Sequence, residues 1–108
     1  MGLELLSPQE LQQAIESGEA LFVEFYSPEC PHCASLEPTI RKVADRWDAE
    51  LRIAQVDVLN NRDAAQAWNV LSTPTVVLFD GGEEVARLSG VQGYRQYRGA
   101  IEKLVGEE

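Results

Sequence analysis

Apolar residues along this chain recur in two rhythms, one helical and one extended. After Ser7-Pro8-Gln9-Glu10, Leu11, Ala14 and Ile15 repeat at helical spacing up to Gly18. Ser7 suits an N-cap, Pro8 the first helical position, Glu10 the closing residue of a capping box, and Gly18 a stop. From Ala20 to Tyr26 the chain is apolar except at Glu24 and is bounded by Ser27-Pro28, the pattern of a strand covered on both faces. A second helix is predicted from Pro31 to Trp47, with Leu36, Ile40, Val43, Ala44 and Trp47 on one stripe. Pro38 inside it removes a backbone donor, which predicts a kink. Leu51 to Val58 reads as a strand, Ala64 to Trp68 as a short helix, and Thr75 to Phe79 as another strand. The turn Asp80-Gly81-Gly82-Glu83 leads into Val85 to Leu88 as a hairpin, and a helix from Tyr94 to Val105 turns Ile101, Leu104 and Val105 inward. The expected fold class is α/β, a central sheet parallel in part and antiparallel at its end, flanked by helices. Neither repeat nor linker interrupts it, so one domain over residues 1–108 is expected.

Composition narrows the partners. Eighteen Asp and Glu stand against nine Lys and Arg, for a net charge of −9. That balance opposes binding to a nucleic-acid backbone or to an anionic membrane surface. No apolar run reaches the roughly 18 residues that span a bilayer. The first twenty residues contain four Glu and no Lys or Arg, unlike a secretory signal, and Leu6 stands where an acylation signal opening on Met1-Gly2 wants Ser or Thr. A cytoplasmic location without membrane or nucleic-acid partners is the expectation.

The candidate chemistry lies in Cys30-Pro31-His32-Cys33, which holds both cysteines and the single histidine of the chain. As a structural staple the pair closes a four-residue loop, for about 2 kcal/mol against about 4.7 for a 100-residue loop. As a metal site it offers three ligands where closed structural zinc takes four, and Ala34 stands where a c-type haem site needs His. No metal and no cofactor are therefore expected. Thiol–disulfide exchange fits the spacing and the strand–helix junction best, because N–H groups on the first turn of a helix favour a thiolate on Cys30.

Phe25-Tyr26-Ser27-Pro28-Glu29-Cys30-Pro31-His32-Cys33, Val56-Asp57-Val58, Ser72-Thr73-Pro74-Thr75, Phe79-Asp80-Gly81-Gly82 and Gly90 resemble thioredoxin in order and spacing, from about Ser7 to Val105. The resemblance implies the thioredoxin fold and a protein disulfide oxidoreductase. Cys30 is then the exposed nucleophile and Cys33 the buried thiol that resolves the mixed disulfide. It further implies a cis-proline at Pro74 facing both sulfurs, and a surface of Thr73, Pro74, Gly90 and Val91, completed by Pro31 and His32, that holds an extended client segment. Its partners would be a thioredoxin reductase and disulfide-bearing client proteins, and a monomer is expected.

The departures from the family pattern carry information. Pro31-His32 replaces the common Gly-Pro and matches the dipeptide of strongly oxidising periplasmic disulfide oxidases, though their inserted helical domain is missing. A small group of atypical thioredoxins, including those called desulfothioredoxins, shares this Cys-Pro-His-Cys site. A His beside the nucleophile stabilises its thiolate and raises the reduction potential; otherwise His32 is an exposed loop residue. Glu24 stands where thioredoxins bury an Asp. If it is buried, its pKa rises and it can exchange a proton with Cys33, all the more because Gln55 replaces the usual Lys; the alternative is a carboxylate turned to water. Glu29 replaces a Trp and reads as a solvated charge or as a selector of cationic partners. Trp47 and Trp68 read as core. The rival functions are a disulfide donor or isomerase in an oxidising compartment and a redox-sensing binding module without catalysis.

Overall fold

A computed structural model describes residues 3–106, so the Met1-Gly2 start and the last two residues of the expected domain lie outside the described residues. The elements run β1 (Glu4–Leu5), α1 (Pro8–Glu16), β2 (Leu21–Tyr26), α2 (Pro31–Trp47), β3 (Arg52–Asp57), α3 (Arg62–Ala67), β4 (Thr75–Asp80), β5 (Glu83–Ser89) and α4 (Tyr94–Val105). The strands form one mixed sheet in the order β1-β3-β2-β4-β5. β3 runs parallel to both β1 and β2, whereas β4 runs antiparallel to β2 and β5. With strands on both sides and helices on both faces, β2 is buried from Leu21 to Phe25, which is why it reads as a nearly unbroken apolar run.

The pleat sends alternate residues of β2 to opposite faces. Leu21, Val23 and Phe25 join Leu11 and Ile15 of α1 and Ala64 of α3 in one core. Phe22 joins Leu36, Ile40, Val43 and Trp47 of α2 and Tyr97 and Ile101 of α4 in the other. Glu24 has the parity of Phe22 and so belongs to the α2 side, where the cysteines are. The capping box at Ser7 is complete: its hydroxyl accepts from the Glu10 N–H at 3.0 Å and the Glu10 carboxylate accepts from the Ser7 N–H at 2.8 Å. Helix α2 continues through Pro38, which lies on its exposed side.

Some elements differ from expectation. β1 was not anticipated, because its two residues are both exposed and show no apolar rhythm. It is held by its ladder to β3 and by Arg52, whose guanidinium grips the Glu4 carboxylate at 2.7 and 3.0 Å. In α4 the fully buried residues are Tyr97 and Ile101, while Leu104 and Val105 are half-buried. Tyr97 meets Phe22 edge-on with ring centroids 5.9 Å apart, and its hydroxyl accepts the Gln92 N–H at 3.2 Å. Trp47 is core, whereas Trp68 is half-buried and packs against Phe25 at 6.0 Å.

Candidate functional site

Three chain segments meet at the carboxyl end of β2. The first is the turn from Ser27 into α2, whose N-cap is Cys30 in extended conformation. An N-cap side chain is placed to accept one of the orphan N–H groups of the first turn. The Cys30 sulfur does so, accepting the Cys33 N–H at 3.3 Å. The second segment is the loop before β4, where the Thr73–Pro74 peptide is cis and the Thr73 carbonyl accepts the Cys30 S–H at 3.6 Å. The third is the loop after β5, whose Gly90 N–H donates to the Pro74 carbonyl at 2.8 Å. Gly90 has φ of 75°, a left-handed conformation that glycine adopts without steric cost. Cys30, Thr73, Pro74 and Gly90 are thus linked by hydrogen bonds and chain continuity. Pro31, His32 and Val91 are exposed, and Pro74 is buried.

The two thiols are chemically unlike. Burial alone would push the Cys30 thiol up, but hydrogen bonds from Cys33 and Thr73 and from the backbone N–H groups of Cys33 and His32 outweigh it and hold the pKa below the ordinary thiol value. Cys33 is buried inside the first turn, and desolvation, aided by its hydrogen bond to Cys30, pushes its pKa up to about 11. The half-exposed sulfur therefore ionises more readily than an ordinary thiol, and the buried one keeps its proton at neutral pH. His32 contributes through its backbone, while its imidazole lies in solvent.

Glu24 is 1% exposed and sits opposite Gln55 in the β2–β3 ladder. The Gln55 amide donates to Glu24 Oε1 at 2.8 Å, and Oε2 has no hydrogen-bond partner among the described residues. Burial raises the Glu24 pKa above the ordinary carboxylate range; the Gln55 hydrogen bond works against that rise and the Glu37 carboxylate adds to it. A recess of about 190 Å³ is lined by Glu24, Tyr26, Cys30, Cys33, Glu37 and Gln55, among others. It brings the carboxyl group and both sulfurs to one cavity.

Neither Glu37 nor Tyr26 stands out in the sequence as a site residue, although each has a periodic signal. Glu37 lies one helical turn after Cys33 and Tyr26 two strand residues after Glu24, so each shares its partner's face. Glu29 is exposed, with its N–H held by the Ser27 hydroxyl at 3.2 Å. Among the described residues no three His, Cys, Asp or Glu side chains gather in a way that suits a metal ion. The arrangement offers a thiol held below its ordinary pKa, a second thiol within reach of it and a buried carboxyl group lining the same recess.

Comparison with known proteins agrees with this geometry. The thioredoxin family model matches residues 2–103. Thioredoxin from Fasciola hepatica superposes with a TM-score of 0.84 at 29% identity, covering 94% of this chain and 98% of its own. The J-Trx1 fragment of ERdj5 superposes at 0.87 with 32% identity over 95% of this chain and 51% of that one. In sequence the chain is 31% identical over 87 residues to NADPH-dependent thioredoxin reductase 3 of Arabidopsis thaliana, covering 81% of this chain and 16% of the relative. It is 35% identical over 88 residues to protein disulfide-isomerase of Gallus gallus, covering 79% of this chain and 17% of the relative. The chain therefore spans only a small part of these curated relatives. With Cys30 capping α2 and bonded to the Thr73 carbonyl next to the cis Pro74, and with a family match over residues 2–103, the chain belongs to the thioredoxin family.

Proposed function

We propose that the protein is a thiol–disulfide oxidoreductase that reduces disulfides in client proteins. The observation that carries this reading is the split between the two thiols, one lowered and accessible, the other buried and raised to about 11. The Cys30 thiolate attacks one sulfur of a client disulfide; a Cys30–client disulfide forms and the other client sulfur leaves as a thiolate that takes up a proton. Cys33 then attacks the Cys30 sulfur. Its proton passes by way of Glu24 to the second client sulfur, which departs as a thiol as the Cys30–Cys33 bond forms. The client gains two electrons and two protons, and the dithiol becomes a disulfide. Exposed Val91 and half-buried Thr73 and Gly90 hold the client segment, with backbone pairing beside Thr73. A cytoplasmic monomer recharged by a thioredoxin reductase completes the proposal, supported by family membership.

The Pro31-His32 dipeptide favours a second reading, a disulfide donor, because a better stabilised thiolate makes the disulfide more oxidising. Insulin reduction with dithiothreitol tests the exchange activity, and inactivity there would support a non-catalytic binding module. Equilibration of the Cys30–Cys33 pair against a glutathione buffer tests direction. A potential near about −270 mV supports the reductant and one near about −120 mV the donor.

A further inference from the structure

Leu71 is 96% exposed, and Val91 is 48% exposed. Apolar side chains scattered singly over a surface need no explanation, but these two lie on the two loops that converge on the nucleophile. Leu71 stands two residues before Thr73, whose carbonyl accepts the Cys30 S–H at 3.6 Å, so its Cα lies within about 7 Å of that of Thr73. Val91 follows Gly90, which is tied to the Pro74 carbonyl at 2.8 Å. The loop that carries Leu71 is pinned at both ends. Arg87 donates to the Trp68 and Asn69 carbonyls at 2.7 and 3.0 Å, and the Thr75 hydroxyl donates to the Ser72 carbonyl at 2.7 Å. The leucine is thus held out into solvent by a pinned loop, two residues before the carbonyl that meets Cys30.

Charge adds a second element. Residues 27–33, 71–75 and 89–92, which surround the Cys30 sulfur, contain one carboxylate, Glu29, one imidazole, His32, and no Lys or Arg. Glu29 is exposed and adjacent to the nucleophile, on a chain of net charge −9. A partner arriving here meets an apolar shelf and a negative field.

Building on the exchange reading above, we infer that Leu71 and Glu29 select the client. The segment recognised carries an aliphatic side chain that covers Leu71 and a Lys or Arg that faces Glu29, both flanking the attacked cysteine. Burial of part of an aliphatic pair and one exposed ion pair each account for a preference of roughly five-fold.

The test uses the reduced full chain and peptides whose single cysteine is capped as a 2-pyridyl disulfide. Attack by the Cys30 thiolate joins its sulfur to the peptide cysteine and expels 2-thiopyridone, whose absorbance gives the rate. The peptides differ only in Leu or Ser on one side of the cysteine and Lys or Glu on the other, in each combination and in both orders. Every rate is divided by the same protein's rate on the 2-pyridyl disulfide of mercaptoethanol, which removes any change in the nucleophile itself. Leu is expected to beat Ser and Lys to beat Glu by roughly five-fold each at low salt, the Lys preference fading as salt rises. Leu71→Ser should abolish the first preference and Glu29→Gln the second. Equal rates on all peptides, or preferences that survive these substitutions, overturn the inference. Silence towards the mercaptoethanol compound as well overturns the exchange reading beneath it.

Discussion

Burial drives Glu24 and Cys33 in one direction, while hydrogen bonds drive Cys30 in the other. Because only the thiolate is a nucleophile, iodoacetamide should label Cys30 with a midpoint below that of an ordinary thiol, and Cys33 should ionise only near its value of about 11. Labelling followed against pH and mapped by peptide mass checks this; equal midpoints for the two residues would contradict the split. For Glu24 the folded state keeps a proton that the unfolded chain releases. Stability is therefore full below the ordinary carboxylate pKa and falls as pH rises towards the elevated folded value, by at most about 1.4 kcal/mol per pH unit. Glu24→Gln should remove that slope from the urea midpoint measured against pH, and a slope that persists would place the titrating group elsewhere. Gln55→Lys, which sets a cation against the carboxylate, should shift the window to lower pH, together with the pH dependence of mixed-disulfide release.

Two elements present the site, α2 through its first turn and the loop into β4 through its anchorage. The loop depends on Arg87 of β5, which is also held by Glu84 at 2.8 Å and reaches back to the Trp68 and Asn69 carbonyls just past α3. Arg87→Met keeps much of the side-chain length but removes the charge-assisted bonds to both carbonyls. For this partly exposed arginine the cost is about 1 kcal/mol. Amide exchange at residues 69–72 should quicken, and client peptides should react more slowly relative to a small disulfide. Unchanged exchange in that loop would show that Arg87 does not hold it. By contrast, Ser7→Ala removes one half of the capping box at the far end of α1 and should cost about 1 kcal/mol of stability without changing the Cys30 labelling profile.

Across the molecule the sheet order brings the carboxyl end of parallel β2 beside the amino end of antiparallel β4, so the turn into α2 and the loop into β4 face each other. That juxtaposition places a thiolate, a buried carboxyl and a backbone carbonyl within one small region. The chain as a whole carries a net charge of −9, whose self-repulsion opposes the compact state. Raising the salt concentration from about 0.01 M to about 1 M shortens the screening length from about 30 Å to about 3 Å and should raise the melting temperature by several degrees. A flat or falling melting temperature would mean that local ion pairs such as Arg52–Glu4, 2.7 Å apart, outweigh the net repulsion.

Much of this was legible in local patterns. The cap at Ser7, the apolar run of β2 and the Asp80–Glu83 turn are short-range signals. The spacing of Cys30 and Cys33 at a strand–helix junction states its chemistry within four residues. β1 was not legible, because two exposed residues hold their place by pairing with β3, a partner fifty positions away whose hydrogen bonds come from the backbone and leave no mark on side-chain type. Glu24 could be named from its position in an apolar strand, but its burial, its bond to Gln55 and its free Oε2 exist only once β2 and β3 pair beneath α2. Glu37 and Tyr26 have the right periodicity for that cavity, yet nothing local says that the two faces meet. Leu71 looks from sequence like any loop leucine; the folding of three distant segments around Cys30 leaves it exposed beside the nucleophile. Residue types and their local spacing set the available chemistry, and long-range strand pairing decided which groups share the site.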